Sequence, residues 1–376
     1  MNGILRALAA TAVLASVMAS VMATGACVQA EPPPPPPPTT TAPATTIPAP
    51  TPEATPLVAA APPGTEATPN PFGTVSPPAA ATPTPAANPS ISSSVPAEKS
   101  PLRLQVLLDR AHFSPGEIDG TLGGNTSRAL DTFRRAGGAR AGGPPTDEDW
   151  RALESAGAPT LVDYALTDKD VKGPYQKRIP EDMMEKAKLD ALSYTSPLEA
   201  LGERFHVSPK LLRTLNAAKT FARSGEVVQV PNVHTDPSGK AAKVVVTEAD
   251  QSVIALDGAG RILARYPATM GSEHDPLPIG TWKVNGVSKD PPFFYNPDLF
   301  WDAKGDQSKA KIPPGPNNPV GVVWIDLSKE HYGIHGTPEP SKVGKTESHG
   351  CIRLTNWDAD ELSRMVSPGI PAILQR

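Results

Sequence analysis

The amino-acid sequence predicts a multidomain protein in which a mostly-β domain, residues 241–376, follows two small domains, one α-helical and one α+β. Three observations support this fold class. From Lys243 onward, β-branched residues recur in runs of strand length. Between residues 101 and 233, apolar residues recur at helical spacing instead. Earlier, the chain is rich in Pro, Ala and Thr, and 22 of its 47 prolines lie between Pro32 and Pro96, so folded structure is expected from about residue 101.

Residues 1–30 are typical of a signal peptide for export. Arg6 supplies a short positive segment, and the apolar run ALAATAVLASVMASVMA follows it. Cleavage after Ala30 suits an ordinary signal peptidase, whereas TGAC ending at Cys27 resembles a degenerate lipoprotein signal with an acylated cysteine. Both routes stay open, and both predict a protein of the periplasm or cell envelope, with a lipid anchor at Cys27 in the second.

Residues 31–100 are predicted to be a disordered linker, because a Pro, Ala and Thr-rich chain with few aromatic residues cannot bury enough apolar surface to fold.

The overall charge of the chain excludes nucleic acid as a partner. The chain carries 35 basic and 39 acidic residues, a net charge of -4 and a pI near 6.0. This balance lacks the basic surface that nucleic-acid binding requires.

Residues 101–157 are predicted to form the helical domain. Leu104, Leu107 and Leu108 share one helical face, and Asp119-Gly120 marks a turn before a second helix that contains Phe133. With these features the stretch resembles the peptidoglycan-binding domain found beside many cell-wall enzymes. The resemblance implies a wall-binding fold, although Arg134 stands where that domain usually has Gln.

Residues 158–188 are expected to connect this domain to the next one. In residues 189–233, apolar spacing indicates two short helices, closed by the predicted strand EVVQVPN. Phe205, Val207-Ser208, Gly225 and Val230-Pro231 make the stretch similar to a LysM module, a βααβ unit. That resemblance implies glycan binding.

From Lys243 onward the sequence predicts a β domain. The expected strands are KVVVT, SVIALD, RILARYPATMG, GTWKVNGVS, GVVWIDLS and YGIHG, with a hairpin turn at Gly258 to Gly260. A single helix is expected in TNWDADELSRMV, with Thr355 or Asn356 as its N-cap.

One twenty-residue segment, HGTPEPSKVGKTESHGCIRL at residues 335–354, concentrates the chemically reactive residues. It holds two of the seven histidines, His335 and His349, and one of the two cysteines, Cys351. After processing at Ala30, Cys351 is the single thiol of an exported protein. A lone thiol in that setting favours a reactive role.

The segment contains a candidate for each part of a cysteine-nucleophile site, which needs a base, a group that orients the base, and backbone donors for an oxyanion. His335 is the candidate base, oriented by a nearby carbonyl such as that of Gly336. Gly350 permits a tight turn that places N–H groups beside Cys351. Arg353, two residues further along a strand, is suited to lowering the thiol pKa or binding a substrate carboxylate.

Two other interpretations compete with catalysis. Taken alone, a cysteine in an Ile-Arg-Leu strand is typical of a small buried apolar residue. A zinc site is the second, since four residues of this region are zinc-competent: His331, His335, His349 and Cys351. Residues four apart on a strand are separated by about 13 Å, however, and zinc ligands need closer spacing. The four specialised residues His335, His349, Cys351 and Arg353 together favour catalysis without a metal.

Several motifs after residue 243 occur together: PLPIGTWKV, IPPGPNNPVG, YGIHGTPEP and SHGCIRL. Through them residues 243–376 resemble the L,D-transpeptidase catalytic domain of the YkuD type. The resemblance implies that Cys351 attacks the carbonyl between the third and fourth residues of a peptidoglycan stem peptide and expels D-Ala. It implies His335 as base, the Gly336 carbonyl as its orienting group, and no cofactor. The residues implied in the oxyanion site or in substrate binding are Ser348, His349, Gly350 and Arg353.

Three functions are compatible with these features: a transpeptidase, a hydrolase in which water replaces the amine acceptor, and a wall-binding anchor with an idle catalytic domain. The intact His335 and Cys351 argue against the anchor. The expected partners are peptidoglycan stem peptides and glycan. The PGPNNPVG stretch resembles the subgroup of Gram-negative envelopes, in which the acceptor is either a neighbouring stem or an outer-membrane protein.

Overall fold

The computed structural model describes residues 98–154, 157–233, 236–237, 239–301, 303–348 and 350–376. The predicted signal peptide, Cys27 and the predicted linker up to residue 97 lie outside the described residues, as does His349. Within the part that is described, no helix is long and apolar enough to cross a membrane.

Three helices make up the first unit: α1 (Pro101–Arg110), α2 (Gly124–Ala136) and α3 (Asp147–Leu153). The Ser100 side chain caps α1 by accepting a hydrogen bond from the N–H of Arg103 at 3.2 Å. The leucines of the predicted apolar face are buried together with Phe113 and Trp150. The unit is therefore a small helical core of its own.

Arg134, where the resemblance expects Gln, has a structural role in this unit. Its guanidinium is 4% exposed and forms a two-point ion pair with Asp149, at 3.0 and 2.7 Å. It also donates to the carbonyl of Gly142 at 2.7 Å. The hydrogen bond from Arg134 lowers the pKa of Asp149 to about 2. The arginine thus ties the loop after α2 to the start of α3.

The second unit contains a strand pair and four helices: β1 (Leu161–Ala165), α4 (Asp168–Lys172), α5 (Met183–Lys186), α6 (Pro197–Arg204), α7 (Pro209–Leu215) and β2 (Val227–Pro231). β1 and β2 pair antiparallel, with Leu161 opposite Pro231. β1 and α4 lie inside residues 158–188, where a connector is expected. The strand pair therefore begins at residue 161 rather than after residue 189.

The remaining elements form the β domain: β3 (Lys243–Thr247), β4 (Ser252–Leu256), β5 (Ile262–Pro267), β6 (Gly280–Lys289), β7 (Phe293–Tyr295), β8 (Ala310–Ile312), β9 (Val323–Leu327), β10 (Gly333–His335), β11 (Ile352–Arg353), α8 (Asn356–Met365) and β12 (Pro371–Gln375). Eight strands make one sheet in the order β11-β10-β9-β6-β12-β3-β4-β5. β7 and β8 pair separately as a hairpin.

The mostly-β character predicted for this domain is confirmed. All six predicted strands are present, β4 and β5 form the expected hairpin, and α8 is where a helix was predicted. Thr355, rather than Asn356, is the N-cap, because its Oγ1 accepts the N–H of Asp358 at 3.2 Å. The apolar faces of the sheet and of α8 share one core, which includes Val246, Ile325 and Leu362.

Both smaller units contact the β domain around α8 and β5. Phe113 forms an isolated parallel bridge with Arg265. Ser114 donates a hydrogen bond from its Oγ to Asp358 Oδ2 at 3.0 Å. From the second unit, the His206 ring stacks on Trp357, with centroids 5.0 Å apart. Buried polar groups therefore lie between the units and the domain that carries the reactive segment.

Asp358 is expected to make stability depend on pH. It is 1% exposed, and burial, reinforced by the charge of Asp109, raises its pKa to about 7. The folded chain thus keeps a proton that the unfolded chain releases near pH 4, so the carboxyl lowers stability as pH rises from about 4 to 7. The unfolding free energy of Asp358→Asn, relative to that of the unsubstituted protein, should therefore increase by about 1–3 kcal/mol from pH 5 to pH 8.

Urea unfolding of both proteins at pH 5 and pH 8 measures this difference. As a control, Asp306→Asn makes the same substitution in an exposed loop. A constant difference for Asp358→Asn would contradict the assignment.

Candidate active site

His335 lies at the end of β10, between two other strands. Across the ladder it is opposite Trp324 on β9 and Arg353 on β11. Its side chain is 3% exposed. The Trp324 ring stacks against the imidazole, with centroids 5.4 Å apart and planes 17° apart. Strand register therefore holds His335 in a buried position against an aromatic ring.

A hydrogen bond to the adjacent backbone orients the His335 ring. Nδ1 donates to the carbonyl oxygen of Gly336 at 2.7 Å. Because a carbonyl oxygen only accepts hydrogen bonds, Nδ1 carries the proton and Nε2 keeps its lone pair. The structure thus brings His335 and the Gly336 carbonyl into the contact that the sequence leads us to expect.

The environment of His335 favours the neutral imidazole. Burial lowers the pKa of His335 to about 3, and the positive charge of Arg353 acts in the same direction. The hydrogen bond to Gly336 opposes both effects. At neutral pH the ring is therefore in the form that accepts a proton.

Two glycines make this packing possible. A Cβ on Gly333 would lie 2.5 Å from Cζ2 of Trp324, the ring that stacks on His335. A Cβ on Gly336 would lie 2.2 Å from Oδ1 of Asn356. Both distances are shorter than any real Cβ contact. A residue larger than glycine at either position of GIHG would therefore clash with its neighbour.

Cys351 comes directly before β11, which runs parallel to β10. It is half-buried and is a free thiol. Sγ lies 3.7 Å from the carbonyl oxygen of His331, to which it donates. Burial raises the pKa of the Cys351 thiol, against the opposing effects of the Gly333 backbone and the Arg353 charge. The resting thiol is therefore protonated at neutral pH, and it needs a base to become a nucleophile.

Two residues before Cys351, Ser348 and Gly350, are held by close contacts. Ser348 is 4% exposed, donates from Oγ to the carbonyl of Cys351 at 2.7 Å, and donates from its backbone N–H to Gly271 at 2.9 Å. Gly350 has a φ of +93°, and a Cβ there would lie 2.9 Å from the Tyr332 ring. The left-handed backbone and the aromatic neighbour both require glycine. His349, which lies between them in the sequence, is outside the described residues.

Arg353 is held by backbone contacts on both sides of β11. Its N–H donates to Thr269 at 2.8 Å, and its carbonyl accepts from Thr269 at 3.0 Å. On the other side it is opposite His335. Its charge reaches both reactive groups, because it lowers the pKa of His335 and opposes the rise in the pKa of Cys351.

Three residues of this region were not predicted as part of the site. Trp324 and Tyr332 cover His335 and Gly350, and Asn356 packs against Gly336. Trp324 belongs to a strand that the sequence does predict, but its position beside His335 depends on the register between strands. Asn356 was considered only as a helix cap. The signal for it was an amide side chain at the start of the predicted helix, three residues after GCIR.

The zinc interpretation finds no support in the geometry. Among the described residues there is no group of three or more His, Cys, Asp or Glu side chains that could hold a metal ion. His331 is 59% exposed and lies beside Glu330, whereas His335 is buried. His349, one of the four residues considered, is not part of the described structure.

Comparison with known families identifies the β domain. Residues 241–374 match the model of YkuD, described as the L,D-transpeptidase catalytic domain. The β domain of this chain is therefore similar to the L,D-transpeptidase catalytic domain of the YkuD family.

Three relatives are similar over part of the chain. A Bacillus licheniformis protein assigned as L,D-transpeptidase YkuD is 54% identical over 56 residues, which are 15% of this chain and 34% of that protein. Bacillus subtilis YkuD, with the same assignment, is 26% identical over 183 residues, or 48% of this chain and 93% of that protein. Escherichia coli YbiS is 26% identical over 180 residues, or 46% and 58%. The chain thus spans about a third of the first relative and over half of the third.

Solved structures of similar proteins include L,D-transpeptidase 3 from Mycobacterium tuberculosis in complex with a faropenem-derived adduct. Its sequence is 19% identical to this one. The similarity covers 41% of this chain and 75% of that chain, with a TM-score of 0.31.

Burial of the neutral His335 is expected to make the protein sensitive to acid. Below pH 6.5 the unfolded chain binds a proton on this ring, while the folded chain does not until about pH 3, so stability falls as pH decreases through that range. We compare how far the unfolding free energy drops from pH 7 to pH 4 in each protein. The drop should be about 1–3 kcal/mol smaller for His335→Gln than for the unsubstituted protein, because one pKa unit corresponds to about 1.4 kcal/mol. Urea unfolding at the two pH values measures this. Equal losses in both proteins would contradict a buried neutral His335.

Proposed function

We propose that the chain is an exported cysteine acyltransferase, an L,D-transpeptidase that acts on peptidoglycan stem peptides. The observation that carries the proposal is the hydrogen bond from His335 Nδ1 to Gly336, which leaves Nε2 as a proton acceptor on β10, the strand that pairs with β11 directly after Cys351. The match of residues 241–374 to the YkuD model supports the same activity.

Cys351 is the nucleophile in this mechanism, and His335 is the general base. Since the thiol pKa is raised, Sγ must lose its proton to Nε2 of His335 as it attacks. The Sγ–C bond forms at the carbonyl between the third and fourth stem residues, and the carbonyl oxygen becomes an oxyanion. When the C–N bond breaks, the proton passes from Nε2 to the amine of the departing D-Ala.

The turn at residues 348–351 is proposed to form the oxyanion site. Backbone N–H groups of Gly350 and Cys351, with those of His349, would donate to the developing negative charge. Two observations support this role for the turn. Gly350 has a positive φ directly before Cys351, and Ser348 donates from Oγ to the Cys351 carbonyl and from its N–H to the Gly271 carbonyl.

Arg353 is proposed to bind a substrate carboxylate. An arginine can hold a carboxylate through two parallel hydrogen bonds. Support comes from its backbone, which is fixed between Thr269 and His335, and from its charge, which already acts on both reactive side chains. A carboxylate bound here would lie close to the thiol.

An amine is proposed to resolve the thioester. The nitrogen attacks the acyl carbon, the Sγ–C bond breaks, and the thiol takes back a proton. The acceptor is either the diamino acid of a neighbouring stem, which gives a cross-link, or an outer-membrane protein. No step requires a cofactor.

The chain is further proposed to reach the wall by export through its N-terminal signal, with processing at Ala30 or lipid attachment at Cys27. The helical unit and the strand-pair unit are proposed to bind peptidoglycan as a peptidoglycan-binding domain and a LysM module. The pairing of β1 with β2 around the helices α6 and α7 supports the second assignment.

Removal of the proposed nucleophile should abolish the reaction. We expect Cys351→Ala to lose both tetrapeptide turnover and the mass adduct with a carbapenem while it keeps the unfolding midpoint, because the thiol is half-buried and Ala fills part of its place. Intact-protein mass spectrometry detects the adduct. In protein that retains residues 1–30, Cys27→Ala removes the other cysteine of the sequence; it is the matched control and should retain the adduct. Turnover by Cys351→Ala would refute the mechanism.

The two smaller units should attach the protein to the wall. We expect the full chain carrying Cys351→Ala, which cannot bind covalently through its thiol, to co-sediment with purified sacculi. Sacculi digested beforehand with a muramidase should compete for it in solution. A protein that stays in the supernatant with intact sacculi would contradict wall binding by these units.

A further inference from the structure

The Asn356 side chain packs against two glycines of the β domain, Gly321 and Gly336. It is 3% exposed. A Cβ on Gly321 would lie 2.0 Å from Asn356 Oδ1, and a Cβ on Gly336 would lie 2.2 Å from the same atom. The amide oxygen is thus packed directly on the residue whose carbonyl orients His335.

Hydrogen bonds at both ends of the amide fix its orientation. Oδ1 accepts the backbone N–H of Val322 at 3.2 Å. Nδ2 donates to the carbonyl of Pro316 at 3.2 Å and to Oε1 of Glu203 at 3.3 Å. A flipped amide would place its NH₂ group against an N–H donor and its oxygen against two acceptors, so a single orientation satisfies the partners.

Glu203 brings a second part of the chain to this amide. It is the penultimate residue of α6, in the unit that precedes the β domain. Next to this contact, His206 stacks on Trp357, the residue after Asn356. Two neighbouring contacts therefore seat the end of α6 on the start of α8.

We propose that Asn356 is a positioning residue for the base His335, and that Glu203 holds Asn356 in place from outside the catalytic domain. The proposal rests on the function proposed above. Asn356 fixes the position of Gly336, Gly336 fixes the His335 ring through its carbonyl, and the ring then directs Nε2 to the thiol. Rapid acylation of Cys351 therefore requires that α6 is in contact with the β domain.

The environment of Glu203 is consistent with this role. Burial raises its pKa to about 8, so at neutral pH it is largely a neutral carboxyl group. Its contact with Asn356 is then a hydrogen bond without a full negative charge close to the reactive residues. A cavity of about 260 Å³ lies beside the contact, lined in part by Glu203, Glu117 and Trp357.

A double-mutant cycle tests the link between Asn356 and His335 in the full chain. Asn356→Asp preserves the shape of the side chain and the acceptor for Val322 but loses both Nδ2 donors. We expect it to slow carbapenem acylation of Cys351 about tenfold or more, since small displacements of catalytic groups cost factors of this size. In a His335→Ala background the same substitution should change the rate less than about twofold, because its effect passes through the missing ring.

The cycle separates positioning from a general structural role. A residue that merely supports the fold would give the same loss in both backgrounds, and that result would overturn the proposal. Wild-type rates for Asn356→Asp alone would overturn it as well. If the unsubstituted protein forms no adduct at Cys351, the proposed function itself is wrong, and the inference falls with it.

Glu203 variants provide a second test that does not alter the β domain. We expect Glu203→Ala to slow acylation several-fold, and Glu203→Gln, which retains an acceptor for Nδ2, to recover most of that loss. Glu117→Ala is the matched control. It removes another carboxyl group from the same cavity wall, makes no hydrogen bond with Asn356, and should leave the acylation rate unchanged. Equal rates for Glu203→Ala and the unsubstituted protein would show that α6 does not hold Asn356.

Discussion

The hydrogen bond from His335 Nδ1 to the Gly336 carbonyl, at the buried end of β10, is the interaction on which the site depends. It fixes the tautomer of the ring, and it does so without a carboxylate that would stabilise an imidazolium. Burial therefore keeps His335 neutral and Cys351 protonated. In the proposed mechanism the two groups start as a neutral thiol and a neutral base rather than as an ion pair, so proton transfer must accompany attack.

The surroundings of this hydrogen bond are built from parts of the chain that are distant in sequence. Trp324 on β9 covers the ring, and Arg353 on β11 lies on its other side. Asn356 at the start of α8 packs on Gly336, and Glu203 of α6 reaches the same amide. The smaller units are thus connected to the site through buried polar contacts. Such contacts are costly to break, because each leaves a buried donor or acceptor without its partner.

Local patterns in the sequence were sufficient for the six predicted strands of the β domain and for α8, but not for β1, α4, β7 and β8. Runs of β-branched residues predicted these strands, and Thr355 or Asn356 as a candidate N-cap predicted the start of α8. Long-range pairing was the part that could not be predicted. β1 pairs with β2 across an intervening series of helices, and Trp324 meets His335 only through strand register. Asn356 shows the same limit, since its partners Gly321, Gly336 and Glu203 come from three separate segments.

The most direct measurement is intact-protein mass spectrometry after incubation with a tetrapeptide stem, with and without a diamino-acid acceptor. We predict a tripeptide thioester on Cys351 that is resolved into a cross-linked product when the acceptor is present. Resolution only to free tripeptide in both samples would contradict transpeptidation and assign the same thioester to a hydrolase. The absence of any adduct on Cys351 would contradict the account of the thiol as a nucleophile.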